Sequence, residues 1–179
     1  DIRLRRQVAV RVLRRTYADD PLFLEEFRSE AQKATTLNHP NLVSIYDWGE
    51  QELPYVVTEY LSGGNLRNLV DAAANISSSQ ALLIGIEIAK GLEYAHKRGV
   101  THLSLKPTNI LFDFESNIRI AGFGISKTLA SFSSANTENP RDQRYLSPEQ
   151  INGRRIDQRS DIYSLSCLLY ESVARSQSP

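Results

Sequence analysis

The chain has 179 residues, which is enough for one domain with a sizeable core or for two small lobes. Lysine plus arginine and aspartate plus glutamate both total 21, so the overall charge gives no reason to expect nucleic acid or an anionic membrane as a partner. The single cysteine, Cys167, excludes an internal disulfide and is typical of a reducing compartment.

The most apolar stretch, residues 81–89, contains a glutamate and is far too short to span a bilayer. We therefore expect no membrane segment in this fragment and a cytoplasmic location, while leaving open a membrane anchor elsewhere in the parent protein. Because the chain contains no methionine, we also expect residues upstream of Asp1.

The positive charge is concentrated at the start of the chain. Residues 1–15 contain six arginines and one aspartate, a net charge of +5. Aromatic residues, which nucleic-acid-binding surfaces interleave with their basic residues, are absent from this stretch. We interpret it as the solvated face of a basic hairpin.

The first regular elements are a strand and a helix. The alternation of residues 8–12 predicts a strand that places Ala9 and Arg11 on one face. Asp20 followed by proline predicts a helix N-cap, and the helix after it directs its apolar residues and Glu30 toward one side.

Four further elements follow in order. Residues 42–48 and 54–61 read as strands, and residues 66–73 as a short helix. The serines at 77–79 predict the cap of a long helix over residues 80–97, which ends with Gly99.

Residues 100–124 predict a loop, a hairpin and a second loop. The polar, serine-rich residues 125–140 are typical of a mobile loop. A last helix is predicted from Ser160, and because it is apolar on nearly every side we expect it to be buried.

These motifs, in this order, resemble the catalytic core of the protein kinases. His102 to Asn109, H-L-S-L-K-P-T-N, resembles H-R-D-L-K-P-x-N; Gly122 to Gly124 resembles D-F-G; residues 8–11, V-A-V-R, resemble V-A-I-K; and residues 147–149, S-P-E, resemble A-P-E. The amino-acid sequences of several segments most resemble those of the bacterial eukaryotic-type, PASTA-kinase-like Ser/Thr kinases.

The resemblance implies an α+β, two-lobe kinase fold. Residues 1–59 would form a partial N-lobe, a small antiparallel β-sheet with helix C, and residues 60–179 a partial, mainly α-helical C-lobe. Both ends would be truncated, since the glycine-rich phosphate loop and the last helices of the family have no counterpart here.

The resemblance also assigns the site. It places Ser104, Lys106 and Asn109 in a degenerate catalytic loop and implies no metal site. The degenerate nucleotide slot would comprise Ala9, Arg11, Glu30, Thr58, Glu59, Leu61, Leu111 and Gly122. Ser104 replaces the base aspartate, Gly122 the metal-binding aspartate, Arg11 the phosphate-binding lysine and Leu103 the arginine beside the base.

We therefore predict a catalytically impaired pseudokinase that acts as a regulatory or protein-interaction module. One alternative is an active Ser/Thr kinase with a non-standard site that uses Asp113 or Asp142 as a metal ligand. A second is an ATP-binding switch without catalysis. ATP would bind weakly, with little dependence on magnesium, and the partners would be proteins rather than nucleic acid.

Two ion pairs are predicted to neutralise the cations of this site. Arg11 would pair with Glu30. Lys106 would pair with Asp142, which lies where the family has a threonine near the catalytic-loop lysine. A cation in a cleft is costly without such a partner.

Overall fold

A small antiparallel sheet forms the first lobe. The computed structural model describes residues 1–72, 76–126, 128–129 and 140–174. Strands β1 (Val8–Val12), β2 (Ile45–Gly49) and β3 (Tyr55–Glu59) lie in the order β1-β3-β2. The register places Ala9 opposite Thr58, so the two residues lie side by side on neighbouring strands.

The helices α1 (Arg15–Ala18) and α2 (Pro21–Thr35) follow β1. The Asp20 carboxylate caps α2 by accepting from the N–H groups of Leu22 at 3.0 Å and Phe23 at 3.3 Å, as the sequence predicts. The α2 face that carries Phe23 and Phe27, both fully buried, packs in a core with Val56 of β3.

Helices dominate the second lobe. Its helices are α3 (Leu66–Asp71), α4 (Ser78–His96), α5 (Pro148–Ile151) and α6 (Gln158–Ala174), with 3-10 turns at Pro107–Asn109 and Pro140–Tyr145 and a hairpin of β4 (Ile110–Phe112) and β5 (Ile118–Ile120). Ser77 caps α4 in a capping box with Gln80, and Gly99 beyond its end takes φ +72°. Helices α4 and α6 pack against each other around the larger core.

The backbone joins the two lobes through the segment between α2 and β2. The N–H of Ile120 donates to the Asn41 carbonyl at 2.8 Å, and the N–H of Val43 donates to the Ile120 carbonyl at 2.9 Å. The molecule is thus a protein kinase-like α+β fold, as predicted. The proposed boundary between residues 59 and 60 stays a prediction.

Helix α6 differs from its prediction in two respects. It begins at Gln158 rather than after Ser160, because the Asp157 backbone carbonyl already accepts from the Ser160 N–H at 3.1 Å. It is also not buried on every side: the face toward α4 is buried, whereas Ile162 is 51% and Tyr170 54% exposed. Among the described residues, no helix is both long and apolar enough to cross a membrane.

Candidate functional site

A buried aspartate of α6 holds the loop that carries the candidate catalytic residues. Asp161 is 0% exposed and accepts from the backbone N–H groups of His102 at 2.9 Å and Leu103 at 2.7 Å. Its Oδ2 also lies 2.7 Å from His96 Nε2. Leu103 takes φ +59°, which folds the loop tightly over Asp161. Sequence reasoning missed Asp161, although a charged residue in an otherwise apolar helix is a signal that could have revealed it.

His102 connects this loop to the glycine-flanked turn at residues 122–124. The N–H of Ser104 donates to His102 Nδ1 at 3.2 Å, so Nε2 carries the proton and donates to the Ala121 carbonyl at 2.9 Å. Phe123 contacts the imidazole edge to face, with ring centroids 4.7 Å apart. Burial lowers the pKa of His102, outweighing the nearby Asp161 carboxylate.

The catalytic-loop residues Ser104 and Asn109 are brought together. Asn109 Nδ2 donates to the Ser104 carbonyl at 2.8 Å, and the Asn109 carbonyl accepts from the Ala121 N–H at 2.8 Å. The Asn109 side chain is therefore fixed by the loop backbone.

Lys106 is paired with Asp142 as predicted. The Nζ to Oδ2 distance is 2.6 Å, and the side chains are 26% and 18% exposed. Asp142 lies in the 3-10 turn Pro140–Tyr145, so the pair fastens this turn to the catalytic loop. The prediction of this ion pair is confirmed.

Gly122 occupies a crowded, left-handed position. Its φ is +103°, and a Cβ there would lie 2.8 Å from Ser126 Oγ. Ser126 Oγ donates to the Gly122 carbonyl at 2.7 Å and closes the turn. A side chain at position 122 would need this turn to shift, so the local backbone suits glycine.

The predicted Arg11–Glu30 pair is wrong. Among the described residues no ion pair joins them, and Glu30 accepts from Lys33 Nζ at 3.0 Å. Glu30 is only 4% exposed on α2, whereas Arg11 is exposed on β1. Protein atoms around the Arg11 guanidinium nevertheless lower its pKa through desolvation.

The residues predicted for the nucleotide slot lie on several elements of both lobes. Ala9 and Thr58 are cross-strand neighbours, and Leu111 forms an isolated bridge with Asn65. The Glu59 carboxylate accepts from the Ser44 N–H at 2.9 Å, which leaves the hinge carboxylate engaged within the protein. Leu61 follows the hinge and is partly exposed.

A cavity of about 600 Å³ lies elsewhere, between α3, α4 and the β4–β5 hairpin. It is lined by Leu69, Leu83, Phe112 and Ile118 among others. Since none of the residues predicted for the site lines it, we place the candidate site at the catalytic loop on chemistry rather than on cavity size.

A buried network of side chains joins α3, the 3-10 turn Pro140–Tyr145 and α6. The sequence analysis did not predict it. Arg67 binds Glu171 through two parallel contacts, Nη1 to Oε1 at 2.9 Å and Nη2 to Oε2 at 3.1 Å. Tyr145 donates its hydroxyl proton to Glu171 and accepts from Arg67 Nη2 at 2.6 Å. Burial and the Glu171 carboxylate raise the pKa of Tyr145, so its hydroxyl stays protonated. These partners are distant in sequence, so no local sequence pattern predicts their contact.

Comparison with known proteins defines the class. A model described as the protein kinase domain matches residues 2–178, and the chain belongs to this family. The serine/threonine-protein kinase PknB of Mycobacterium leprae (strain TN) is 42% identical over 179 residues, which cover 96% of this chain and 29% of that protein. The serine/threonine-protein kinase PrkC of Bacillus subtilis (strain 168) is 41% identical over 173 residues, covering 96% of this chain and 27% of that protein.

Solved structures give the same class. The Mycobacterium tuberculosis PknI kinase domain superimposes with a TM-score of 0.79 at 26% identity, over 96% of this chain and 68% of that chain. The chain spans less than a third of the length of PknB and PrkC, the two curated relatives named above.

Protein kinases use ATP, typically with magnesium. The nucleotide would meet the residues of the predicted slot, and the metal would meet those of the catalytic loop and the turn at Gly122. Ala9 and Thr58, which the resemblance places beside the adenine, lie side by side on neighbouring strands. At the phosphate end Gly122 offers no carboxylate to a magnesium ion, and Asn109, whose Nδ2 donates to the Ser104 carbonyl at 2.8 Å, could offer only its Oδ1 oxygen. Within the described ranges, no group of three His, Cys, Asp or Glu side chains is placed to hold a metal.

The alternative ligand Asp113 has a structural role. Its carboxylate accepts from the N–H groups of Glu115 at 3.0 Å and Asn117 at 2.8 Å in the β4–β5 turn. Desolvation alone would raise the pKa of Asp113, and these hydrogen bonds, with that from the Asn117 side chain, outweigh it and lower the pKa.

Proposed function

We propose that this chain is a pseudokinase domain, a kinase-fold module that regulates or binds other proteins without efficient phosphoryl transfer. The observation that carries the proposal is the 2.6 Å contact between Lys106 and Asp142. In a working site this lysine faces the transferred phosphate and the base aspartate. Here its charge is already matched by a carboxylate of the chain itself.

The chemistry of the remaining positions supports the proposal. Kinase catalysis consists of positioning and electrostatic stabilisation by metal ions, a lysine and an aspartate. Loss of a general base alone typically lowers the rate by about 10²–10⁴-fold. The Ser104 hydroxyl is too weak a base to replace an aspartate, and Gly122 cannot bind a metal.

Nucleotide binding, if retained, would rest on the adenine end of the slot. Ala9 and Thr58 lie side by side on neighbouring strands there, while the phosphate end lacks the family's metal-binding aspartate. ATP would therefore bind weakly and with little dependence on magnesium. The binding partner would be a protein in the cytoplasm or on the cytoplasmic side of a membrane-anchored parent.

Thermal unfolding with ATP, with and without magnesium, followed by a radiolabel transfer assay, tests the proposal. We expect a small stabilisation by ATP that magnesium leaves unchanged, and no transfer to the chain or to a basic protein. The matched variant Ser104→Asp with Arg11→Lys tests the missing base and the altered cation, and it leaves Gly122 in place because a Cβ there would lie 2.8 Å from Ser126 Oγ. A strongly magnesium-dependent stabilisation of the natural chain would refute the proposal.

An active kinase with a non-standard site is the second candidate, favoured by the identity of about two residues in five to proteins named as serine/threonine kinases. Its signature would be magnesium-dependent transfer that disappears in Lys106→Ala. An inactive ATP-binding switch would instead show nucleotide-dependent stabilisation with no transfer.

A further inference from the structure

The cavity of about 600 Å³ between α3, α4 and the β4–β5 hairpin is separate from the candidate site described above. Small-molecule sites in proteins are concave, mostly apolar and about 300–1,000 Å³ in volume. The cavity falls within that range, and its lining residues all lie between positions 40 and 119, in the interior of the chain. None of them belongs to the catalytic loop or the predicted nucleotide slot, so any ligand here would be a second one.

Hydrogen bonds between its walls hold the cavity open. The buried Asn41 side chain donates through Nδ2 to the Ile118 carbonyl of β5 at 3.1 Å and to the Glu87 carboxylate of α4 at 3.0 Å. At the other edge of the hairpin, the Phe112 N–H donates to the Gly64 carbonyl at 3.0 Å. The walls are thus fixed before any ligand arrives, which lowers the entropic cost of binding.

The apolar part of the lining is only half covered by the protein. Ile84 and Ile118 are buried, whereas Leu83 is 63% and Leu69 37% exposed. A ligand that covered these two leucines would remove apolar surface from water, which favours binding. The apolar residues of the lining are Leu69, Ile76, Leu83, Ile84, Phe112 and Ile118.

The two charged residues of the lining already have partners in the protein. The Glu87 carboxylate accepts from Lys90 Nζ at 2.6 Å. The Arg119 guanidinium lies 3.8 Å from each of two carboxylates, those of Glu59 and Asp113. A charged group brought into the cavity would lose water without gaining an unmatched opposite charge. The lining therefore fits a neutral ligand.

One amide and one aromatic ring can orient such a ligand. Gln80 is exposed near the start of α4, where its Oε1 accepts from the Ser77 N–H at 2.9 Å. Its Nε2 makes no hydrogen bond to the residues that the structure describes, so this donor is available to an acceptor oxygen. On the hairpin wall, the Phe112 ring can pack against a ring of the ligand.

An extended peptide fits the cavity less well, because both outer edges of the hairpin already pair with the chain. The Gly63 N–H donates to the Phe112 carbonyl at 3.0 Å, and the Val43 N–H donates to the Ile120 carbonyl at 2.9 Å. A peptide could not add to this hairpin as a further strand, which is the usual source of main-chain bonds in such binding. Only side chains remain to make contacts.

We propose that this cavity binds a small neutral molecule with an apolar ring system and one acceptor oxygen, such as an aromatic ketone. The rings lie between the leucines and Phe112, and the oxygen accepts from Gln80 Nε2. The proposal does not depend on the pseudokinase proposal, because the two rest on different residues.

Fluorescence titration of the chain with Prodan, a neutral naphthalene ketone whose emission shifts to shorter wavelength away from water, tests this inference. We expect saturable binding that Leu83→Ser weakens about fivefold, since part of the covered apolar surface is lost. Leu69→Ser should weaken it in the same direction. The matched control is Leu82→Ser, at the preceding residue of α4, which is 62% exposed and does not line the cavity. This control should bind Prodan like the natural chain.

Two competitors distinguish the site and the class of ligand. ATP should leave the Prodan affinity unchanged, and anilinonaphthalene sulfonate, an anionic naphthalene, should bind more weakly than Prodan. Thermal unfolding of each variant checks that it is folded, since Leu82 and Leu83 are both largely exposed. Absence of saturable binding, displacement by ATP, or an equal response of Leu82→Ser and Leu83→Ser overturns the inference. Tighter binding of the sulfonate, lost in Leu83→Ser, overturns the neutral character of the ligand.

Discussion

Lys106 and Asp142 form the ion pair on which the proposed loss of catalysis rests. Two cations, Arg11 and Lys106, act on the neutral imidazole of His102, and Asp142 balances one of them. Because both side chains of the Lys106–Asp142 pair are partly exposed, the pair contributes only about 0–1 kcal/mol to the free energy of unfolding. We therefore expect the pair to affect what the cleft binds more than it affects stability.

The variant Asp142→Ala should therefore bind ATP more tightly while unfolding at almost the same denaturant concentration. Freeing Lys106 for the phosphates should raise the affinity about fivefold, the equivalent of roughly 1 kcal/mol for one charge pair in a solvated cleft. Calorimetric titration measures the affinity, and Asp157→Ala, a carboxylate outside the cleft, is the control. An unchanged affinity in Asp142→Ala would show that Lys106 does not face the nucleotide.

His102 gives a prediction that depends on pH. Its pKa is lowered, chiefly by burial, so the folded state holds the neutral ring while the unfolded chain takes up a proton near its ordinary pKa of about 6.5. The stabilisation is present above this pH and is lost as the pH falls below it. Nitrogen NMR of the imidazoles should show the His102 Nε2–H tautomer persisting below pH 6.5. A His102 ring that is charged at that pH would contradict the hydrogen-bond assignment.

At the scale of elements, helix α6 organises the catalytic loop through Asp161. Its fully buried carboxylate accepts from two backbone N–H groups, which the methyl group of an alanine cannot do. Asp161→Ala should lower the free energy of unfolding by at least about 3 kcal/mol, since it leaves those donors buried without acceptors. Chemical denaturation checks this against Asp71→Ala, an exposed carboxylate on α3 that should cost about 0.5 kcal/mol or less. A similar loss in both variants would mean that the loop does not depend on α6.

The elements that could be predicted from sequence are those with local signals. Asp20, Ser77 and Gly99 mark helix ends because their capping bonds reach only a few residues. Partners distant in sequence, such as Arg67 with Glu171, carry no local pattern. The Arg11–Glu30 pair was inferred from a resemblance, and it is absent: Glu30 is buried on α2 and accepts from Lys33, whereas Arg11 lies on β1.

For the whole molecule, our proposal is that the frame of a kinase has been kept while the residues of catalysis have been replaced. The chain matches the protein kinase domain over nearly its full length, and its two lobes meet through the backbone bonds between Asn41, Val43 and Ile120. His102, Lys106 and Asn109 keep positions that the fold needs. The positions that hold a metal or accept a proton carry Gly122 and Ser104 instead. Such a division is expected of a protein in which the fold serves binding rather than catalysis.

Transfer of the γ-phosphate from radiolabelled ATP to the chain itself or to a basic protein is the most direct measurement of this. With magnesium present, we expect incorporation no greater than that of Lys106→Ala, which has lost the lysine of the catalytic loop. Incorporation that requires magnesium and is abolished by Lys106→Ala would contradict the pseudokinase proposal and establish an active kinase with a non-standard site.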